Sequence, residues 1–148
     1  MGGSGPRTDP LAQEGVAWIA SVRPDGRPHL VPLWFCWDGD AILVFSKADA
    51  QKVRNLAFDP RAMVAIGEAG ADMRIGLFEA VAQLGPSPLG LPDTFVDKYR
   101  DRLTHLGLSV QRFAETYPLP IRLRPTRWLD WGAPGWRTPV STSKTHPR

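Results

Sequence analysis

The feature that most constrains this chain is a pair of apolar runs joined by Pro24-Asp25-Gly26. Pro24 presets φ for the first turn position, Asp25 bonds its own backbone locally, and Gly26 accepts the left-handed conformation that closes the turn. The run before it, Val16–Val22, is β-branched and aromatic; the run after it spans Pro28–Trp37. Together they predict an antiparallel β-hairpin. The second run is apolar on both faces, whereas a strand with one wet face alternates, so a helix, a partner subunit or a flat ligand is expected to cover its outer side. Pro32 cannot donate to a sheet ladder, which requires an edge position or a bulge.

The pattern then repeats. Asp38-Gly39-Asp40 is a second tight turn and Ala41–Ser46 a third strand. Asp59-Pro60-Arg61 introduces a fourth strand over Ala62–Glu68, and Met73–Leu84 makes a fifth, with a bulge expected at Gly76. From Leu77 onward the fifth strand alternates, with Phe78, Ala80, Ala82 and Leu84 on one side. Helical spacing of Phe95, Val96, Tyr99, Leu103 and Leu106 predicts a helix from Asp93, and a shorter helix follows over Ser109–Thr116. Ile121–Trp131 supplies one or two last strands. Six or so strands in hairpin order with few helices predict a mainly β protein, a small closed or split antiparallel barrel. The domain is placed at residues 11–132, after a short helical turn at Leu11–Glu14. Residues 1–10 and 133–148 are expected to be tails.

Several function classes are disfavoured. The single cysteine, Cys36, excludes an internal disulfide and a multi-cysteine metal site. No apolar run reaches the roughly 18 residues of a membrane span, which makes the cytoplasm the default location. The formal charge of +3 is matched by Arg137, Lys144 and Arg148 in the acid-free last sixteen residues, so residues 1–132 are formally neutral. A nucleic-acid interface needs a clustered positive face, and none is indicated in the body of the chain. His29, His105 and His146 are scattered, and no nucleophile or metal motif is present. An enzyme with this inventory leaves the hard chemistry to a bound cofactor.

The segment Leu43–Leu56 is where such a cofactor is expected. A strand end passes through a polar turn into a helix carrying Lys52 and Arg54. Unpaired N–H groups at a helix start attract phosphate. Ser46, Lys52 and Arg54 add a hydroxyl and two cations, while the apolar second strand offers a wall for a ring system.

The order Val16–His29, then Val31-Pro32-Leu33-Trp34-Phe35, then Trp37-Asp38-Gly39-Asp40, then Lys52-Val53-Arg54-Asn55-Leu56 and Asp59-Pro60-Arg61 resembles the pyridoxamine 5′-phosphate oxidase-like superfamily. It is most similar to the subgroup described as F-420-dependent enzymes, F-420 being a deazaflavin. Ile121–Trp128 resembles the same subgroup. The resemblance implies an FMN-binding-like split β-barrel homodimer with cofactor sites at the subunit interface. By the same resemblance the phosphate meets Phe45, Ser46, Ala50, Gln51 and Lys52, with Arg54 and Asn55 nearby. The ring lies along Leu30, Val31, Pro32 and Leu33, and Arg27 and His29 add to the phosphate pocket. Ala50 and Gln51 stand where relatives carry a hydroxyl or an arginine, which implies a weaker grip. Trp128-Leu129-Asp130-Trp131-Gly132 replaces the carboxy-terminal motif of true pyridoxamine phosphate oxidases, so vitamin B6 oxidation is not expected. The implied activity is hydride transfer between F-420, favoured over FMN, and a small conjugated molecule. Trp34, Trp128, Trp131 and Trp136 are candidates for the substrate side and Tyr99 for a proton source. The alternative is a non-catalytic carrier of flavin, deazaflavin or haem, the last needing an axial ligand such as His29, Cys36 or His105.

Overall fold

The structure, a computed structural model, describes residues 10–68, 74–86 and 90–129. After a one-turn helix α1 (Pro10–Gln13) come strands β1 (Ala17–Val22), β2 (Pro28–Leu33), β3 (Cys36–Trp37) and β4 (Ile42–Ser46). Helix α2 (Gln51–Phe58) leads to β5 (Arg61–Glu68) and β6 (Arg74–Leu84), then α3 (Asp93–His105), α4 (Val110–Thr116) and β7 (Leu119–Leu129). The seven strands form one antiparallel sheet in the order β2-β1-β5-β6-β7-β4-β3. Its two edge strands, β2 and β3, are separated in the chain only by Trp34 and Phe35. The three steps from Leu33 to Cys36 reach at most about 11 Å, so the sheet must curl until its ends come close together. A mainly β, half-barrel architecture results, as the split-barrel reading expects.

The single strand predicted over Pro28–Trp37 is therefore two strands. Its first half pairs with β1 and its second half with β4, on opposite edges. The break is held by the Tyr99 hydroxyl, which accepts from the Phe35 N–H at 2.9 Å and lies 3.0 Å from the Phe35 carbonyl and 2.8 Å from that of Gly15. Pro32 sits on an edge strand, where its missing N–H costs no ladder bond. Gly76 is not a bulge. It pairs in regular register with Ile66, and the irregularity lies between Glu79 and Ala80, which face Arg127 and Pro125 on β7 and leave Thr126 as the extra residue.

Alternation along the strands fills two cores. Ile19, Val44, Val64, Phe78, Ile121 and Leu123 point into the curl of the sheet. On the other side of β4, Leu43 and Phe45 pack with Cys36 against Phe95, Tyr99, Leu103 and Phe113 of α3 and α4. Strand β4 is thus the one buried on both faces. The α3 stripe ends short of its predicted length: Leu106 is the exposed C-cap, because α3 turns away at Gly107, φ +73.

Trp34 stacks on Tyr99 at 4.6 Å and on Phe113 at 5.5 Å between ring centroids, so this tryptophan is taken up by the second core. Trp128 packs on Phe78 at the edge of the first. Trp131, Trp136 and the segments before residue 10 and after residue 129 lie outside the described residues.

Candidate functional site

Strand β4 delivers Phe45 and Ser46 to the mouth of α2, and both are buried. Phe45 meets Phe95 edge-on at 5.1 Å, so its ring belongs to the second core. The Ser46 hydroxyl donates to the Lys47 carbonyl at 2.8 Å, an internal use that ties down the turn entering α2.

Within α2 the polar side chains divide into two groups. Gln51 donates to Asn55 Oδ1 at 2.7 Å and accepts from Arg54 at 2.8 Å. Arg54 also bonds the Asp49 carbonyl, at 2.6 Å. Asn55 is 0% exposed and donates to Ser21 Oγ on β1 at 3.0 Å. Arg54, Gln51, Asn55 and Ser21 are therefore linked in one chain that fastens the helix to the sheet. Lys52 stands apart from it. Among the described residues it makes no hydrogen bond or ion pair, and it is half-buried, so desolvation holds its ammonium below the ordinary lysine value.

His29 completes the second group. It faces Ser21 across the β1–β2 ladder. Its Nδ1 is buried with no hydrogen-bond partner, the only such side-chain atom among the described residues. Burial, then the charges of Arg23 and Lys52, push its pKa below the ordinary histidine range. Two cations and an unpaired ring nitrogen thus share one locality, with no carboxylate among the groups that perturb either Lys52 or His29. Uncompensated positive charge in partial burial is costly unless an anion is to arrive.

Arg27 is not in this group. Its guanidinium is paired with Asp25 inside the turn at 2.9 Å and is well exposed. Ser21 and Arg23 belong to the locality, although neither stands out in the sequence. The signal for Ser21 is its phase: in Ala17, Ile19, Ser21 the inward positions of β1 include one hydroxyl among apolar residues.

The proposed ring wall, Val31, Pro32 and Leu33, pairs with Ile19, Trp18 and Ala17. Leu33 packs on the first core, while Pro32 is exposed. On the outer face Leu30 is 59% and Trp18 43% exposed, so nothing among the described residues covers this side. Beside it a cavity of about 560 Å³ opens, with Ala20, Val22, Pro28, Met63 and Val81 among its apolar lining. At its margin Arg61 holds the Asp59 carboxyl down at about 2. Ser21 contributes to the rim of this cavity, but its hydroxyl, bonded by Asn55, and the paired His29 belong to the opposite, inner face of the sheet.

Tyr99 lies in the second core, in one cluster with Phe45. Its hydroxyl is spent on the Phe35 clamp, and burial raises its pKa, so a proton source for this site has to be sought elsewhere. Cys36 is buried beneath α3 with its thiol pushed up by desolvation, and His105 is exposed at the end of α3. No group of His, Cys, Asp and Glu suited to a metal occurs among the described residues. No helix among them is long and apolar enough to cross a membrane.

The family model described as pyridoxamine 5′-phosphate oxidase matches residues 8–130. The chain belongs to that family. No curated protein matches it. Among solved structures, a conserved hypothetical protein of Mycobacterium tuberculosis is 23% identical with a TM-score of 0.66, over 94% of this chain and 90% of that one. An F-420 reductase is 22% identical with a TM-score of 0.60, over 86% of this chain and 98% of the other. HutZ, the haem storage protein of Vibrio cholerae, is 17% identical with a TM-score of 0.59, over 80% and 87%. At these identities the structural likeness establishes the fold. Within it, the pyridoxamine 5′-phosphate oxidase family member described here keeps Lys52 and His29 uncommitted while Gln51, Arg54 and Asn55 are bonded to one another.

Proposed function

We propose that this protein is an oxidoreductase that holds a deazaflavin of the F-420 type, or FMN, with the phosphate against Lys52 and the ring along Val31-Pro32-Leu33. The observation that carries the reading is the half-buried Lys52 ammonium without a counter-charge, whose charge is felt by His29. A phosphate supplies the missing counter-charge, which is why the residues fit the group. A flavin or deazaflavin supplies hydride transfer at its ring.

The chain supplies the rest. Lys52 neutralises the phosphate, and the Arg54–Gln51–Asn55–Ser21 bonds fix the helix that carries it. Phe45 and Ser46 act through the turn they anchor. The bare strip of Leu30, Pro32 and Trp18 excludes water once covered, and a second copy of the chain is the cover we favour, giving a homodimer with sites at the interface. Solvent would provide the proton that accompanies hydride transfer.

F-420 is preferred to FMN because one fold neighbour is an F-420 reductase. A carrier of flavin, deazaflavin or haem is the second reading, favoured by the likeness to HutZ. The test is to add F-420, FMN and haem separately to the purified protein and follow absorbance and tryptophan fluorescence. Saturable binding of F-420 or FMN, with turnover of the reduced form by a panel of conjugated acceptors, supports the oxidoreductase. Binding without turnover supports the carrier, and a Soret band with no flavin or deazaflavin binding overturns the proposal.

A further inference from the structure

Building on the anion site at Lys52, we propose that His29 is its proton-linked member: when a dianion settles there the imidazole takes up a proton, so that anion binding and protonation of His29 favour one another.

The geometry supplies each step. His29 lies on β2, opposite Ser21 on β1. The charges acting on it are Arg23, at the start of the turn after β1, and Lys52 on α2. The remaining polar groups of this locality, the Ser21 hydroxyl and the Asn55 amide, are uncharged and bonded to each other. Asp25, the nearest acid in sequence, is paired with Arg27, and Asp49 lends Arg54 only its backbone carbonyl. In the free protein the imidazole is therefore surrounded by positive charge and carries a buried nitrogen with nowhere to donate. Those conditions favour the neutral ring. A bound oxyanion reverses the first of these, since its charge offsets Lys52 and Arg23, and the Ser21–Asn55 bond keeps the His29 strand against the helix that carries Lys52.

The direction of the linkage follows. The bound state holds its His29 proton to higher pH than the free state does. Affinity for the anion thus rises as pH falls through the interval between the two, and levels off on either side. A phosphate monoester changes its own charge near pH 6, so the phenomenon is best isolated with inorganic sulfate, which stays a dianion throughout.

The experiment is a ring-nitrogen NMR titration of the full chain, in sodium sulfate and in sodium chloride at matched ionic strength, with His29→Gln used to assign the signal. Binding itself is followed through the backbone amides of Val53 and Asn55. In sulfate the proton affinity of His29 is expected to rise about tenfold or more, as for a charge brought within a few ångströms. In Lys52→Gln the difference between the two salts is expected to collapse, and His29 should hold its proton more tightly in chloride, because a neighbouring cation has gone. If the amide shifts saturate with sulfate but His29 titrates alike in both salts, the proton linkage is wrong and the anion site stands. If neither sulfate nor FMN produces a saturable shift, the anion site fails and takes the linkage with it.

Discussion

Replacing Lys52 by methionine should make the protein more stable and less able to bind. Methionine keeps an unbranched, flexible stem of similar reach and drops the charge. In the free protein the ammonium is half-buried and has no hydrogen bond or ion pair among the described residues, so it sits in the fold at a cost. Discounting for the water that still reaches it, removal of that cost is worth about 0.5–1 kcal/mol. For a chain of this length about 2–4 °C of melting temperature accompanies each kcal/mol, which gives a rise of about 1–4 °C. The sign has a pH signature. A lysine whose folded value is lowered loses its penalty as pH climbs from that value towards 10.5, so the advantage of Lys52→Met is full at neutral pH and fades under alkaline conditions. With FMN or F-420 present the order should reverse. Loss of one charge-assisted contact removes about 1.5–3 kcal/mol, weakening binding about 10- to 150-fold, and the ligand-induced rise in melting temperature shrinks accordingly. The assay is thermal unfolding of both proteins with and without ligand. A variant that melts below the parent and keeps the full ligand shift would refute the reasoning, because Lys52 would then be a packing residue.

Three other outcomes follow from the same geometry. Asn55→Ala strands the Gln51 amide and the buried Ser21 hydroxyl and should cost about 1–3 kcal/mol in urea unfolding; a double-mutant cycle with Ser21→Ala should reveal coupling of about 0.5 kcal/mol or more. Tyr99→Phe leaves the Phe35 N–H without its partner and should cost about 1–3 kcal/mol in thermal or chemical unfolding, with ligand affinity at Lys52 unchanged; a loss of affinity equal to that of Lys52→Met would instead put Tyr99 in the site. Leu30→Arg places a charge on the bare outer strip and should convert a dimer to a monomer in sedimentation velocity; identical sedimentation of the parent and variant would remove that strip from any subunit interface.

The hairpin around Pro24-Asp25-Gly26 and most strand positions were legible in the sequence, because turn chemistry and two-residue alternation are local signals. The division of Pro28–Trp37 was not, because what stops β2 is a hydroxyl 64 residues away on α3. Apolar periodicity carries no trace of that bond. Continuous apolarity over Pro28–Trp37 was read as a sign of double cover; among the described residues β4 is the strand buried on both faces, and the outer face of β2 is bare. In the site, charge on α2 was visible, and the family resemblance ranked Lys52 ahead of Arg54, but local sequence offered no physical reason for the difference. Both are cations two residues apart, and only three-dimensional packing decides that one is bonded to Gln51 and a carbonyl while the other is half-buried without a side-chain partner.

The strand order has a consequence for how the chain reaches this form. The hairpins β1–β2, β3–β4 and β5–β6 each need only nearby residues, yet they cannot be laid side by side in order, because the tie through Trp34 and Phe35 runs between the two ends of the sheet. Strand β7 alone bridges β6 and β4, joining segments nearly eighty residues apart at Val44 and Ile121. Loop closure of that length is slow. The last strand therefore acts as the closing stitch: until Leu119–Leu129 is in place, β4 and β3 are a loose flap, and the turn that feeds Lys52 into α2 hangs from it.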